Sequence, residues 1–235
     1  MSSEAKMLRR SSSRHQPNIV GLDNASGLAE KPLDCLRRMR ALFESGSLPH
    51  EKEPDLAKLD QAYTLLLRCP VQGLKALKTL ADHGSLMSEL YIAEAHRTGV
   101  SGRIDITKSA NWYRRAFNEG SVFASYRLGR IYLKTGQYFY AKECFEYGVS
   151  MDFTPAVFLM GYMYVYGLGV QKNWNTARDF LERASTEGHV LAKGILASLL
   201  IRRQWGLFQV LRGLVLACAA FKDVVTTEAS SIRRM

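Results

Sequence analysis

The chain has 235 residues, 47% of them apolar, and a formal net charge of +10, so it can bury a substantial core in one domain or an elongated array. Its four cysteines, Cys35, Cys69, Cys144 and Cys218, are far apart, with no CxxC and no His/Cys pair at zinc-ligand spacing. That excludes a disulfide framework or a zinc module and reads as four ordinary buried thiols in a reducing cytosol.

The charge is unevenly divided. Residues 1–40 carry +4, residues 193–235 carry +5, and the 152 residues between them only +1. A folded reader of nucleic acid concentrates its positive charge on the folded surface, so no nucleic-acid partner is expected.

In chain order, residues 1–30 are rich in Ser, Asn and Gly and have no apolar period. They read as a disordered basic tail, and the positive N-terminus has no apolar run of a secretory signal behind it. Residues 31–53 read as an N-terminal helix and linker. In KPLDCLRRMRALFE, Leu33, Leu36, Met39 and Phe43 share one helical face, and ESGSLPHEKEPD then breaks the pattern.

A repeat array is expected over 54–203. Small residues open successive units at Ser88, Ala124, Ala156 and Ala192, at intervals of 36, 32 and 36. Five positions later come Ala93, Gly129, Gly161 and Ala197. Later in each unit Ser109, Ala141 and Ala177 are followed by bulky pairs (Trp112/Tyr113, Cys144/Phe145, Phe180/Leu181) and then by Ala116, Gly148 and Ala184.

Each unit is therefore predicted to be an antiparallel helix pair. Only Gly, Ala or Ser at the crossing lets two helices approach to about 8–9 Å, while the bulky residues fill the flanking holes and stack on the next pair. Gly136 is predicted to end a first helix in the left-handed conformation. The four-residue difference between units is predicted to fall in the turns: TGVSGRIDITKS and YGLGVQKNWNTA are long, TGQYFYA is short. PDLAKLDQAYTLLLRC and GLKALKTLADHG supply an earlier pair. LAKGILASLL and VLRGLVLACAAF supply a later one, with Gly213 and Ala220 in its small positions. The fold class is thus all-α, an α-solenoid of about four and a half stacked antiparallel helix pairs over 54–225.

The unit AVFLMGYMYVYGLGVQKNWNTARDFLERASTEGHVLA resembles the Sel-one-like repeat, a branch of the tetratricopeptide superfamily. The resemblance rests on Met160, Gly161, Tyr164, Gly167, Gly169, Val170, Ala177, Ala184 and Gly188. The first unit, opening at Ser88, matches through Gly99, Asp105, Trp112, Tyr113, Ala116 and Gly120, with Ala93 in place of the first glycine. The unit between them looks more like an ordinary tetratricopeptide repeat, through Leu128, Gly129, Tyr132, Gly136, Tyr138, Ala141 and Phe145. The resemblance covers residues 73–203. It implies a non-enzymatic adaptor that holds other proteins together, with no catalytic residues, metal or cofactor. Secreted relatives linked to β-lactam hydrolysis carry paired cysteines in each helix pair, and this sequence has none.

The concave face of such a solenoid is built by the first helix of each unit. Helical spacing places Tyr91, Glu94, Arg97, Tyr126, Arg130, Lys134, Phe158, Tyr162 and Tyr166 there. This aromatic and basic trough suits a peptide or helix carrying acidic groups. Gly167-Leu168-Gly169-Val170 lacks the GK[ST] ending and the preceding strand of a phosphate loop, and reads as a turn. His83 and His189 adjoin helix-ending glycines and read as complements of a helix C-terminal dipole.

Residues 204–235 are read as an apolar capping helix and basic tail. Leu207, Val210, Leu211, Leu214, Val215 and Cys218 share the face expected to close the solenoid, and Arg212 near the middle argues against a membrane span. The function expected is a cytoplasmic protein-interaction scaffold gripping a partner segment on its concave face. The alternatives are a peripheral membrane organiser using 205–221 and the basic ends and, more remotely, a hydrolase of the cysteine-rich type.

Overall fold

The computed structural model describes residues 32–45, 53–100, 102–202 and 207–232. The tail read as disordered lies outside them. The described residues form helices and no strand: α1 (Pro32–Glu44), α2 (Leu56–Arg68), α3 (Pro70–Asp82), α4 (Leu86–Thr98), α5 (Ile106–Asn118), α6 (Val122–Lys134), α7 (Tyr138–Ser150), α8 (Thr154–Tyr166), α9 (Trp174–Thr186), α10 (Val190–Arg202) and α11 (Leu207–Ile232). From α2 onward they pack as antiparallel pairs, α2/α3, α4/α5, α6/α7, α8/α9 and α10/α11, each pair also contacting the next. Among the described residues there are five complete pairs rather than four and a half, because the closing helix is fully formed and 26 residues long.

Chain chemistry sets the starts. Asp55, Ser85, Asp105, Ser121 and Asn173 each accept a backbone amide within the first turn of the following helix, at 2.9–3.2 Å. These bonds satisfy donors that a helix N-terminus leaves open. The first helices α4, α6, α8 and α10 start at 86, 122, 154 and 190, which reproduces the 36-32-36 spacing. The four-residue difference lies in the turns, since 135–137 joins α6 to α7 whereas 99–105 and 167–173 join the neighbouring pairs. Gly136 has φ +76° just past α6, as expected. In the turns between units, the position taken by Gly84, Gly120 and Gly188 is held by Asp152, the one non-glycine with positive φ (+52°) among the described residues. Its carboxylate is bound by Arg183 of α9.

The small residues lie where the period puts them. Ser88, Ala93, Ser109, Ala116, Ala124, Ala141, Ala156, Ala177, Ala184, Ala192 and Ala197 are all buried. A Cβ on Gly129 would lie 2.6 Å from the Phe145 ring, and one on Gly148 would lie 2.4 Å from the Ala156 Cβ. Gly129 thus sets the spacing within a pair, and Gly148 the spacing between pairs.

Two expectations are corrected. In α11, Gly213 packs on Ala197, Leu200 and Ile201 and Ala220 is buried, as read from the sequence. The face carrying Leu211, Leu214 and Val215, however, points outward, with Leu211 53%, Leu214 49% and Val215 69% exposed, and Cys218 is exposed as well. The helix closes on its small-residue side because that side permits the closest approach to α10. The thiols are also divided: Cys35 and Cys144 are buried, Cys69 and Cys218 exposed, and all four are free.

Candidate partner-binding face

The first helices α2, α4 and α6 present adjoining faces, and α1 lies across them. Its apolar side is fully engaged: Cys35, Leu36, Met39 and Phe43 are each at most 4% exposed, and Leu36, Met39 and Phe43 join the core cluster that runs from α2 to α7. Arg40 pins the far end, bonding Asp60 of α2 at 2.6 Å and lying 5.5 Å from the Tyr63 ring. The stripe on α1 is legible in the sequence but its seat is not, since an apolar face does not name the surface that it covers.

Under α1 sits a polar network centred on Glu94, whose side chain is wholly buried. The Cys35 thiol and the Tyr113 hydroxyl both donate to its carboxylate. Arg97 donates to it from Nε at 3.0 and 3.1 Å and also reaches the Cys35 sulfur at 2.9 Å. Arg127 of α6 approaches to 3.6 Å. Burial alone would raise the Glu94 carboxyl. Arg127 and Arg97 outweigh it and hold the group down, to about 2. Five residues earlier on α4 the opposite holds. Glu89 is buried beside Glu119, and these effects outweigh Arg115 and push its carboxyl up to about 7.

Of the nine residues read as a continuous lining, Tyr91, Glu94, Phe158 and Tyr162 are at most 4% exposed. They offer a partner no surface in this conformation, which corrects the reading of all nine as one open trough. Phe158, Tyr162 and Tyr166 instead form an aromatic ladder along α8, with centroids 6.4 and 4.5 Å apart, and only Tyr166 reaches solvent, at 43%. His189 extends that ladder, stacking on Phe158 at 4.3 Å while its Nδ1 lies 3.3 Å from the Ala192 amide at the start of α10. Burial lowers its pKa, and its ring meets the start of α10 rather than a helix C-terminus. His83 does meet the end of its helix, through the Thr79 carbonyl.

The remaining four, Arg97, Tyr126, Arg130 and Lys134, come together. Arg97, Arg127, Arg130 and Lys134 line a cleft of about 300 Å³ whose apolar walls are Ile104, Ile106 and Ile131. Arg130 lies over the Tyr126 ring and donates to its hydroxyl at 3.1 Å, and Tyr126 packs edge-on against Phe153. Arg127 was missed from the sequence, although its place one turn ahead of Ile131 and next to Tyr126 on α6 marks it. Among the described residues, no three His, Cys, Asp or Glu side chains gather as a metal site, and no helix is long and apolar enough to cross a membrane.

The architecture defines an α-solenoid of short helix pairs with an extra helix laid on its first-helix face. The Sel1 repeat family matches residues 87–121 and 154–189, leaving out the 32-residue unit between them. Over 94 residues the chain is 29% identical to the ERAD-associated E3 ubiquitin-protein ligase component HRD3 of Candida glabrata, a stretch amounting to 40% of this chain but only 11% of that protein. Among solved structures it is similar to c5321, a protective antigen of uropathogenic Escherichia coli strains with an SLR fold (TM-score 0.60, 17% identity, covering 83% of this chain and 51% of that one). It is also similar to a Sel1 repeat protein from Oxalobacter formigenes (TM-score 0.59, 18% identity, covering 78% and 84%). At those identities the structural likeness is one of fold. The chain thus carries two Sel1 repeats, at 87–121 and 154–189, within a fold like that of the solved Sel1 repeat protein.

Proposed function

We propose that this protein is a non-enzymatic interaction scaffold that holds an acidic segment of a partner protein against its first-helix face. The observation that carries this reading is the convergence of Arg97, Arg127, Arg130 and Lys134 on one cleft with isoleucine walls. Charge-assisted bonds from such a cluster select carboxylates, and the apolar walls add contact area. HRD3 is named as a component of a larger ligase, which supports a role in assembly. Reversing charge with Arg130→Glu and Lys134→Glu tests it. The intact chain, used as bait in lysate, should recover a defined protein by mass spectrometry. The variant, with unchanged circular dichroism, should recover about tenfold less, the loss of a contact worth roughly 1.4 kcal/mol. Undiminished capture would reject the cleft as the site.

A second reading follows from α11. Its outward stripe of Leu211, Leu214, Val215 and Phe221 is 49–72% exposed, the arrangement of a helix lying on a membrane surface. With vesicles containing anionic lipid, the intact chain should float and a chain carrying Leu214→Glu and Val215→Glu should stay at the bottom of the gradient. Equal behaviour of the two removes this reading.

A further inference from the structure

The helix α1 is not part of the repeat. It precedes the array, is joined to α2 through residues 45–55, and its buried side chains join the core cluster and the Glu94 network beneath it. It lies as a ligand helix lies in a groove: Cys35, Leu36, Met39 and Phe43, at positions i, i+1, i+4 and i+8, point inward, while Arg37 faces solvent.

The seat extends past α1 along one edge. A cleft of about 200 Å³ remains between Arg38, Met39 and Leu42 of α1 and Phe123, Tyr126 and Arg130 of α6, so the groove is wider than its occupant. The electrostatics are also poor. The first turn of α1, a positive dipole end, lies beside two guanidinium groups that share one carboxylate: Cys35 bonds Glu94 and is 2.9 Å from Arg97, and Arg127 is 3.6 Å from Glu94. The one acid in its first turn, Asp34, is engaged by Arg37 of the same helix at 3.2 Å. Arg127 Nε, buried there, finds no acceptor among the described residues. A helix with the same apolar spacing and free carboxylates ahead of it would satisfy these cations better than α1 does.

We infer that α1 is a built-in occupant of a helix-binding groove, and that the partner segment is an amphipathic helix of the α1 pattern with acidic side chains in its first turn. The inference rests on the scaffold reading above and names the ligand chemistry of that face. Tethering gives α1 a high effective concentration, so it masks the groove until a better-matched helix displaces it.

The test uses the full chain and two fluorescent peptides. One is residues 30–46; the other carries Lys31→Glu and Pro32→Glu. In a chain bearing Leu36→Asp and Met39→Asp, α1 is detached while every groove residue stays in place. By fluorescence polarisation the first peptide should bind this variant about tenfold or more tighter than the intact chain, since removing a cis competitor restores the competent fraction. The acidic peptide should bind tighter than the first. Equal binding to both chains, or no binding to a variant that keeps its helical circular dichroism, overturns the inference. Should the variant fail to fold, hydrogen exchange on the unaltered chain decides. Adding the acidic peptide should speed exchange of α1 amides while those of α4 and α6 stay protected, and unchanged α1 protection counts against displacement. If lysate capture remains sensitive to Arg130→Glu and Lys134→Glu while these peptides fail, the scaffold reading stands and the α1 inference alone is lost.

Discussion

Glu94→Gln is expected to be the most damaging isosteric change in the protein, lowering stability by about 3 kcal/mol at neutral pH, because a buried charge cluster loses its only anion. The carboxylate is fully buried and bound by Cys35, Arg97 and Tyr113, with Arg127 at 3.6 Å. An amide of the same shape leaves two guanidinium groups facing each other under α1. For a chain of this size the melting temperature should fall by roughly 6–12 °C, and α1 should loosen first. The pH dependence gives an independent check. Glu94 has its folded pKa held down to about 2 from an ordinary value of 4.5, so the stability it contributes is present above about 4.5 and is lost as pH falls toward 2. The gap between wild type and Glu94→Gln should therefore be widest near pH 7 and close on acidification through that window. Glu89 acts in the opposite sense. Its folded value is raised to about 7, so its contribution is present below about 4.5 and is lost as pH rises through 7. It is common to both proteins and cancels in the difference. A variant melting within 2 °C of wild type at pH 7 would show that the network adds little.

A second large effect is expected from the smallest possible change. A Cβ on Gly73 would lie 2.2 Å from the Leu66 Cα and 2.3 Å from its nitrogen. This is a backbone clash that no rotamer relieves, so Gly73→Ala must push α2 and α3 apart. The two helices are joined by Cys69 alone and cannot easily separate. The cost should be about 2–3 kcal/mol, at the upper end of overpacking changes. Gly194→Ala is the control. Gly194 lies within α10, is exposed, and has nothing within 4 Å of its would-be Cβ. There the same change should stabilise by about 0.5–1 kcal/mol through helix propensity. Thermal melts of the two variants should move in opposite directions; shifts of the same sign would contradict this account of the crossings.

The contrast between these two glycines also explains how far the sequence could be read. The helix pairs were legible because each crossing requires a small side chain, and the requirement recurs at offsets that bulky residues punctuate. Gly129, Gly161 and Gly148 could be located before any contact was known. Even the 32-residue unit gave itself away, since its missing residues could fall only in a turn. What could not be read depends on contacts between distant segments. The Cys35–Glu94 bond spans 59 residues, and no local pattern marks Glu94 as buried rather than exposed. The nine-residue lining failed in the same way: spacing put Tyr91 and Glu94 on the correct helical side, but not under another helix. In α11 apolar residues occupy both sides, so hydrophobicity could not choose the packed face. The glycine and alanine at 213 and 220 were the better guide.

The thiol beneath α1 gives the protein a chemical clock. Burial and the neighbouring Glu94 carboxylate push Cys35 up to about 12, so neither access nor thiolate is available while the helix is seated. An alkylating reagent can reach it only in the interval when the helix is away. Cys69 and Cys218, already exposed, would be consumed first and would calibrate the reagent. The labelling rate at Cys35 would then count openings of the unaltered molecule one by one, without a dye or a mutation.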